Sequence, residues 1–87
     1  MDYFVYILYS PSIEKYYIGY SENPEKRLEF HNSELNKIWS KRGQPWRLEC
    51  VFPFSSKTEA LKAERFIKNK KSVSYIRMII EKVRFEM

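Results

Sequence analysis

Apolar and polar positions along the 87 residues follow two periodicities. Phe4-Val5-Tyr6-Ile7-Leu8-Tyr9 and Tyr16-Tyr17-Ile18-Gly19-Tyr20 are aromatic and β-branched runs, parted by Pro11-Ser12-Ile13-Glu14. Such side chains suit a pleated, half-buried surface, and Pro and Ser interrupt it. The pair therefore predicts a β-hairpin with strands over 3–10 and 16–20, its register left open by a connection longer than a tight turn. Trp46-Arg47-Leu48-Glu49-Cys50 alternates with period two and predicts a third strand over 46–52, ended by Pro53.

The remaining pattern is helical. Asn23 is a good N-cap and Pro24 fits the first helical position, which predicts a helix from Pro24 to about Ser33. Ser56-Lys57-Thr58-Glu59 has the form of a capping box, opening a second helix that runs to about Lys70 with Ala60, Leu61, Ala63 and Ile67 as its apolar stripe. After the polar break Asn69-Lys70-Lys71, Ser72 or Ser74 caps a third helix with Ile76, Ile79, Ile80 and Val83 at helical spacing. Residues 82–87 are expected to fray, and residues 33–45 read as a loop. The expectation is one α+β domain over 1–87, a small three-stranded antiparallel sheet flanked by three helices.

Charge adds a partner class. Sixteen Lys and Arg against eleven Asp and Glu give a formal net charge of +5, which favours an anionic partner such as nucleic acid. The basic loop carries Lys37, Trp39, Lys41 and Arg42, and cations with an aromatic ring can meet a phosphate backbone and a base face. Trp39 and Ile38 could equally pin that loop to the core. Lys68, Lys70 and Lys71 extend the basic surface. Gly19 closes a strand, where a missing side chain marks a close approach by a ligand or another backbone. The lone Cys50 excludes an intramolecular disulfide and a cysteine-based zinc site, and its apolar run suits a buried small hydrophobe. No segment is long and apolar enough to span a bilayer, and Met1-Asp2-Tyr3 does not open a signal peptide, so a cytoplasmic location with no membrane partner is the default expectation.

Three positions could carry chemistry. Arg27 and His31 lie four residues apart and project from one helix face, putting a fixed positive charge beside the sole imidazole. Glu64 falls within an apolar stripe, where a carboxylate is unfavourable unless it meets a cation or a metal. Lys68, one turn on, could supply the cation. Tyr6 and Tyr17 sit one on each hairpin strand and could share a site.

Together these residues resemble the GIY-YIG nuclease superfamily, in particular its small stand-alone bacterial members. The likeness extends to the nuclease domain at the N-terminus of the excision-repair nuclease subunit and to homing endonucleases. Val5-Tyr6-Ile7 and Tyr17-Ile18-Gly19 are similar to the paired signature, with Val5 in place of the first glycine. Arg27 and His31-Asn32 match the short helix that follows, and Glu64 matches the metal-binding Glu on a helix after the third strand. The resemblance covers nearly the whole chain, from Tyr3 to about Ile80. One departure stands out: many catalytic members carry an Asn well beyond that Glu, where this chain reads Ser74-Tyr75-Ile76-Arg77 and Asn69 lies too close to Glu64 to take the role.

The resemblance implies phosphodiester hydrolysis in DNA, in repair or recombination, with one Mg2+ or Mn2+ held by Glu64. Arg27 would offset charge on the phosphate, and Tyr6 or Tyr17, helped by His31, would orient or deprotonate water. Tyr6, Tyr17, Arg27, His31 and Glu64 should then converge on one concave surface. A monomer is the expected state, with a partner protein able to supply specificity. Two other readings stay open: a nucleic-acid-binding module with this fold and little cleavage, and a basic structural interaction domain.

Overall fold

The computed structural model describes residues 2–83. The chain runs β1 (Tyr3–Ser10), β2 (Lys15–Ser21), α1 (Pro24–His31), a short 3₁₀ helix (Trp39–Gly43), β3 (Arg47–Phe54), α2 (Lys57–Lys70) and α3 (Val73–Lys82). The strands form one antiparallel sheet in the order β2-β1-β3. This is the α+β arrangement that the strand-like runs and capped helices predict.

β1 is the central strand and is covered on both faces, which is why Val5-Tyr6-Ile7-Leu8 is a continuous buried run instead of an alternating one. On one face Val5, Ile7, Ile18, Cys50 and Phe52 pack against Ala60, Ala63 and Ile67 of α2 and Ile76 and Ile79 of α3. Alanine at two contact positions leaves room for α2 to sit close to the sheet. On the other face Tyr6, Leu8 and Trp46 form a second, smaller cluster with Tyr17, Leu28, Leu48 and Val51 at its margin. Cys50 is buried as expected, and burial, with the Glu49 carboxylate adding to it, pushes its thiol up to about 12. It is an inert packing group.

Polar side chains set the helix starts. Asn23 Oδ1 accepts from the Lys26 amide at 3.2 Å, Ser56 Oγ from the Glu59 amide at 3.2 Å, and Ser72 Oγ from the Tyr75 amide at 3.1 Å. Ser72, and not Ser74, is thus the third cap.

Several boundaries differ from the expectation for identifiable reasons. α1 stops at His31 because the Asn32 side chain turns to the sheet, donating to the Trp46 carbonyl at 2.9 Å and accepting from the Trp46 amide at 2.6 Å. Pro53 does not end β3, which continues to Phe54; β3 is an edge strand, where a missing amide donor is tolerated. The register of β3 against β1 slips between Ile7 and Leu8, with Cys50 opposite Ile7 and Leu48 opposite Leu8, so Glu49 is the bulged residue. The loop over 33–45 contains the 3₁₀ helix. α3 holds through Lys82, and Val83, expected on the apolar stripe, is the left-handed cap and is exposed. The expected fraying of 84–87 lies outside the described residues. Among the described residues no helix is long and apolar enough to cross a membrane.

Gly19 faces Tyr6 across the β1–β2 pair. A Cβ there would stand 2.5 Å from the Tyr6 hydroxyl and 2.7 Å from Cζ. The close approach expected at this glycine is made by the chain's own phenol. Gly19→Ala should therefore lower unfolding stability by about 1–3 kcal/mol, the usual range for overpacking. An unchanged midpoint in urea would show that the phenol has another place to go.

Candidate active site

Register brings the first residues together. Tyr6 pairs with Gly19 and Leu8 with Tyr17, so Tyr6 and Tyr17 share the face of the sheet that α1 covers. Their rings stack at 6.3 Å between centroids. The Tyr6 phenol crosses Gly19 and meets His31 Nε2 at 3.2 Å, while Tyr17 lies 4.2 Å from the imidazole, centroid to centroid. Arg27, one turn before His31 on α1, interacts with both phenols, with Tyr6 above all, which holds its guanidinium more firmly protonated than usual.

The two tyrosines differ in access. Tyr6 is 1% exposed, while Tyr17 is only partly buried. Burial raises the Tyr6 pKa, the hydrogen bond from Arg27 opposes that rise, and the charges of Tyr17 and Glu64 add to it. Glu64 therefore acts on this phenol although it sits on α2.

His31 is completely buried, not the partly exposed helix residue that a lone histidine would suggest. It is held by groups that sequence reading missed. The Asn36 amide oxygen accepts from the Ile38 amide at 2.9 Å, which fixes the orientation of the side chain. Asn36 Nδ2 then donates to the His31 carbonyl at 3.0 Å and to Ser40 Oγ at 2.8 Å. Ser40 Oγ in turn lies 2.8 Å from His31 Nδ1, so both ring nitrogens are hydrogen-bonded, Nδ1 with Ser40 and Nε2 with the Tyr6 hydroxyl. Burial, and after it the charge of Arg27, lowers the His31 pKa to about 4. Gln44 Nε2 also donates to the His31 carbonyl at 2.8 Å, and Trp46 Nε1 donates to the Ser40 carbonyl. The available sequence signal was a pair of uncharged polar residues, Asn36 and Ser40, at helical spacing beside the lone histidine.

Glu64 is mostly buried. Its Oε1 pairs with Lys68 Nζ at 2.6 Å, the partner one turn on that the spacing suggested. Its Oε2 is buried and has no hydrogen-bond partner among the described residues.

The other basic positions divide. Lys37, Lys41 and Arg42 line a cavity of about 550 Å³ with Asn36, Ile38 and Trp39. Lys68 and Lys71 line another, with Trp39 again on its wall. Lys70 lies instead over the rings of Phe66 and Tyr75, at 4.6 and 5.4 Å. Trp39 packs beside Tyr17 and Trp46 yet remains 50% exposed. Gly19, expected to face a nucleic acid, is buried beneath the Tyr6 phenol.

Two measurements probe the histidine mooring. Folded His31 stays neutral down to about pH 4, whereas the unfolded imidazole takes a proton near its ordinary value of 6.5. Between these values the unfolded chain binds more protons, so stability should fall as pH drops through that window. His31→Gln should flatten this slope in thermal melts, and an equally steep wild-type and variant profile would refute the assignment. Ser40→Ala should cost about 1–3 kcal/mol by leaving buried partners unsatisfied.

Residues 2–75 match the GIY-YIG catalytic domain model. The chain is 35% identical over 82 residues to the "Structure-specific endonuclease subunit SLX1" of Debaryomyces hansenii, covering 86% of this chain and 24% of that protein. It is 39% identical over 56 residues to a UPF0213 protein of Streptococcus pneumoniae, covering 64% of this chain and 57% of that one. The chain thus spans less than two thirds of the length of these relatives. The solution structure of a UPF0213 protein from Bacillus halodurans superposes with a TM-score of 0.58 at 27% identity, covering 93% of this chain and 84% of that one. With the signature tyrosines on one face of the same hairpin and the family match spanning most of its length, this chain belongs to the GIY-YIG catalytic domain family.

Proposed function

We propose that this domain is a metal-dependent DNA endonuclease that hydrolyses phosphodiester bonds, with Tyr6, Tyr17, Arg27, His31 and Glu64 as its site. The observation that carries this reading is the buried Oε2 of Glu64, which has no hydrogen-bond partner among the described residues, on a carboxylate whose charge is felt at the Tyr6 phenol of the Tyr6–Tyr17–His31 cluster. A desolvated carboxylate oxygen is unfavourable unless a cation meets it. Among the described residues no three His, Cys, Asp or Glu side chains gather into a metal site. A divalent ion on Glu64 would then draw most ligands from water and phosphate oxygens, which suits Mg2+ or Mn2+. When bound, it would polarise the phosphate and stabilise the leaving oxygen.

The protein's own groups divide the remaining work. Tyr17, the more accessible phenol, orients the attacking water and takes its proton. A phenol with an unperturbed pKa of about 10 is a poor base alone and needs cationic neighbours. Arg27 is that neighbour, and it also offsets negative charge building on the phosphate. Tyr6 is too enclosed to reach water and holds Arg27 and His31 in place. His31 is hydrogen-bonded to the Tyr6 phenol through Nε2 and stays neutral, so it orients the phenol and does not shuttle protons near neutral pH.

The S. pneumoniae and B. halodurans relatives carry names without an activity, whereas the D. hansenii relative is named as a structure-specific endonuclease subunit. We extend that substrate class to this chain: branched or junction DNA, in repair or recombination, with a partner protein contributing selectivity. The five site residues address a phosphate, and phosphate contacts do not read sequence directly. The absence of Asn from residues 74–77 favours a second reading, a binding module with little cleavage. Salt-sensitive DNA binding without nicking would select it.

Plasmid nicking with and without Mg2+ tests the proposal. Glu64→Gln should abolish metal-dependent nicking while leaving the fold intact by circular dichroism. Tyr17→Phe should reduce the rate by roughly 100-fold or more, the scale of a lost general base. Nicking retained by Glu64→Gln would overturn the ligand assignment. Equal losses in Tyr17→Phe and Tyr6→Phe would overturn the division of roles between the phenols.

A further inference from the structure

A cavity of about 510 Å³ opens along the free edge of β2 and is not used by the chemistry above. Its volume falls within the roughly 300–1,000 Å³ of small-ligand sites. One wall is Trp39 with Tyr16, Tyr17 and Ile18; the other is Ile67, Val73 and Ile76 at the corner between α2 and α3. Lys15, Lys68 and Lys71 stand on its lining against one carboxylate, Glu14. Two residues tie it to the active site: Tyr17 is shared, and Lys68 pairs with Glu64.

From this juxtaposition we infer that the cavity is a subsite for one unpaired nucleotide of the DNA substrate, its base against Trp39 and its phosphate among Lys15, Lys68 and Lys71. The inference rests on the reading of this domain as acting on nucleic acid. Aromatic and aliphatic walls suit the π-face of a base without selecting which base. A set of lysines on the lining suits a phosphate and would repel a cationic ligand. Half of the Trp39 surface remains exposed despite its contacts with Tyr17 and Trp46. Trp39 also borders the cavity lined by Lys37, Lys41 and Arg42, so a strand leaving the catalytic cluster has cations on either side of this ring. A fully paired duplex would have no base to offer the cavity; a junction or single-stranded arm would. This gives the domain a physical means of preferring branched DNA without reading sequence.

The test uses duplex DNA carrying a single-stranded arm, with 2-aminopurine as the first unpaired base, and the same DNA with an abasic site there. Binding is measured without metal, by fluorescence and anisotropy. Wild-type protein should quench the 2-aminopurine and bind the base-containing arm roughly fivefold or more tightly than the abasic one, as expected for stacking one base on an aromatic ring. Trp39→Ala should remove both effects, and Trp39 is exposed enough for the variant to fold. Val73→Glu provides a second variant: it places a carboxylate on the opposite wall, at a helix start where acidic side chains are stabilising, and should also erase the preference. Lys71→Ala should weaken both DNAs and make binding less salt-dependent. Equal affinity for base and abasic arms, or unquenched fluorescence, would overturn the proposal. That result is also what an extended peptide occupying the β2 edge would predict. The two readings fail separately. Nicking without a base preference sinks only the subsite, while a base preference with no metal-dependent nicking supports the subsite and sinks only the nuclease.

Discussion

The buried Tyr6 phenol is the constraint on which the arrangement depends. It can lie across the hairpin only because Gly19 opposite has no Cβ, and it can be polar there because His31 meets its oxygen and the charge of Arg27 favours it. Burying a hydroxyl without partners is unfavourable, so the second strand and the first helix are both committed once Tyr6 is in place. His31 must in turn be held, and residues of the segment that follows do so: Asn36, Ser40 and Gln44 converge on its ring and its carbonyl. A loop that carries no regular pattern is thereby fastened through its polar groups.

The sheet separates two kinds of work. The face toward α2 and α3 is an apolar core of aliphatic, small and aromatic side chains that packs the two helices on the sheet. The face toward α1 carries aromatic rings, the imidazole and the guanidinium, and its small cluster is completed by Trp46. Glu64 belongs to α2, where it pairs with Lys68, and its charge adds to the rise in the Tyr6 pKa. Ala60, Ala63 and Ile67 of the same helix bury the apolar stripe, and their packing determines where the carboxylate of Glu64 is held. A carboxylate carried on a core helix is positioned by apolar packing, which resists small displacements better than a loop does.

Much of this was legible in the residues themselves. Local signals carried the hairpin, the three caps and the helical stripes, because each depends on neighbours within a few positions: Pro and Ser between β-branched runs, Asn23 before Pro24, Ser56 three residues before Glu59. Tyr6, Tyr17, Arg27, His31 and Glu64 were identifiable through their likeness to a family pattern, which amounts to knowledge of a shared fold. Boundaries were misjudged where a distant partner decided them. Asn32 leaves α1 for Trp46, and Pro53 stays in a strand because that strand is at an edge.

Sequence alone therefore determined the kinds of element, their order and the set of chemically capable residues, since propensity, capping and periodicity are short-range. Only the tertiary structure decided which of those residues meet, and in what state. Gly19 serves Tyr6 and not a ligand, His31 is buried and neutral, Glu64 keeps one oxygen without a partner, and Trp39 stands between two basic cavities. Each of these depends on contacts between residues far apart in the chain, whose geometry is set by strand register and by what the core leaves exposed. A pattern read along a sequence cannot contain that information, because the same side chain is solvated or desolvated according to what the rest of the fold places over it.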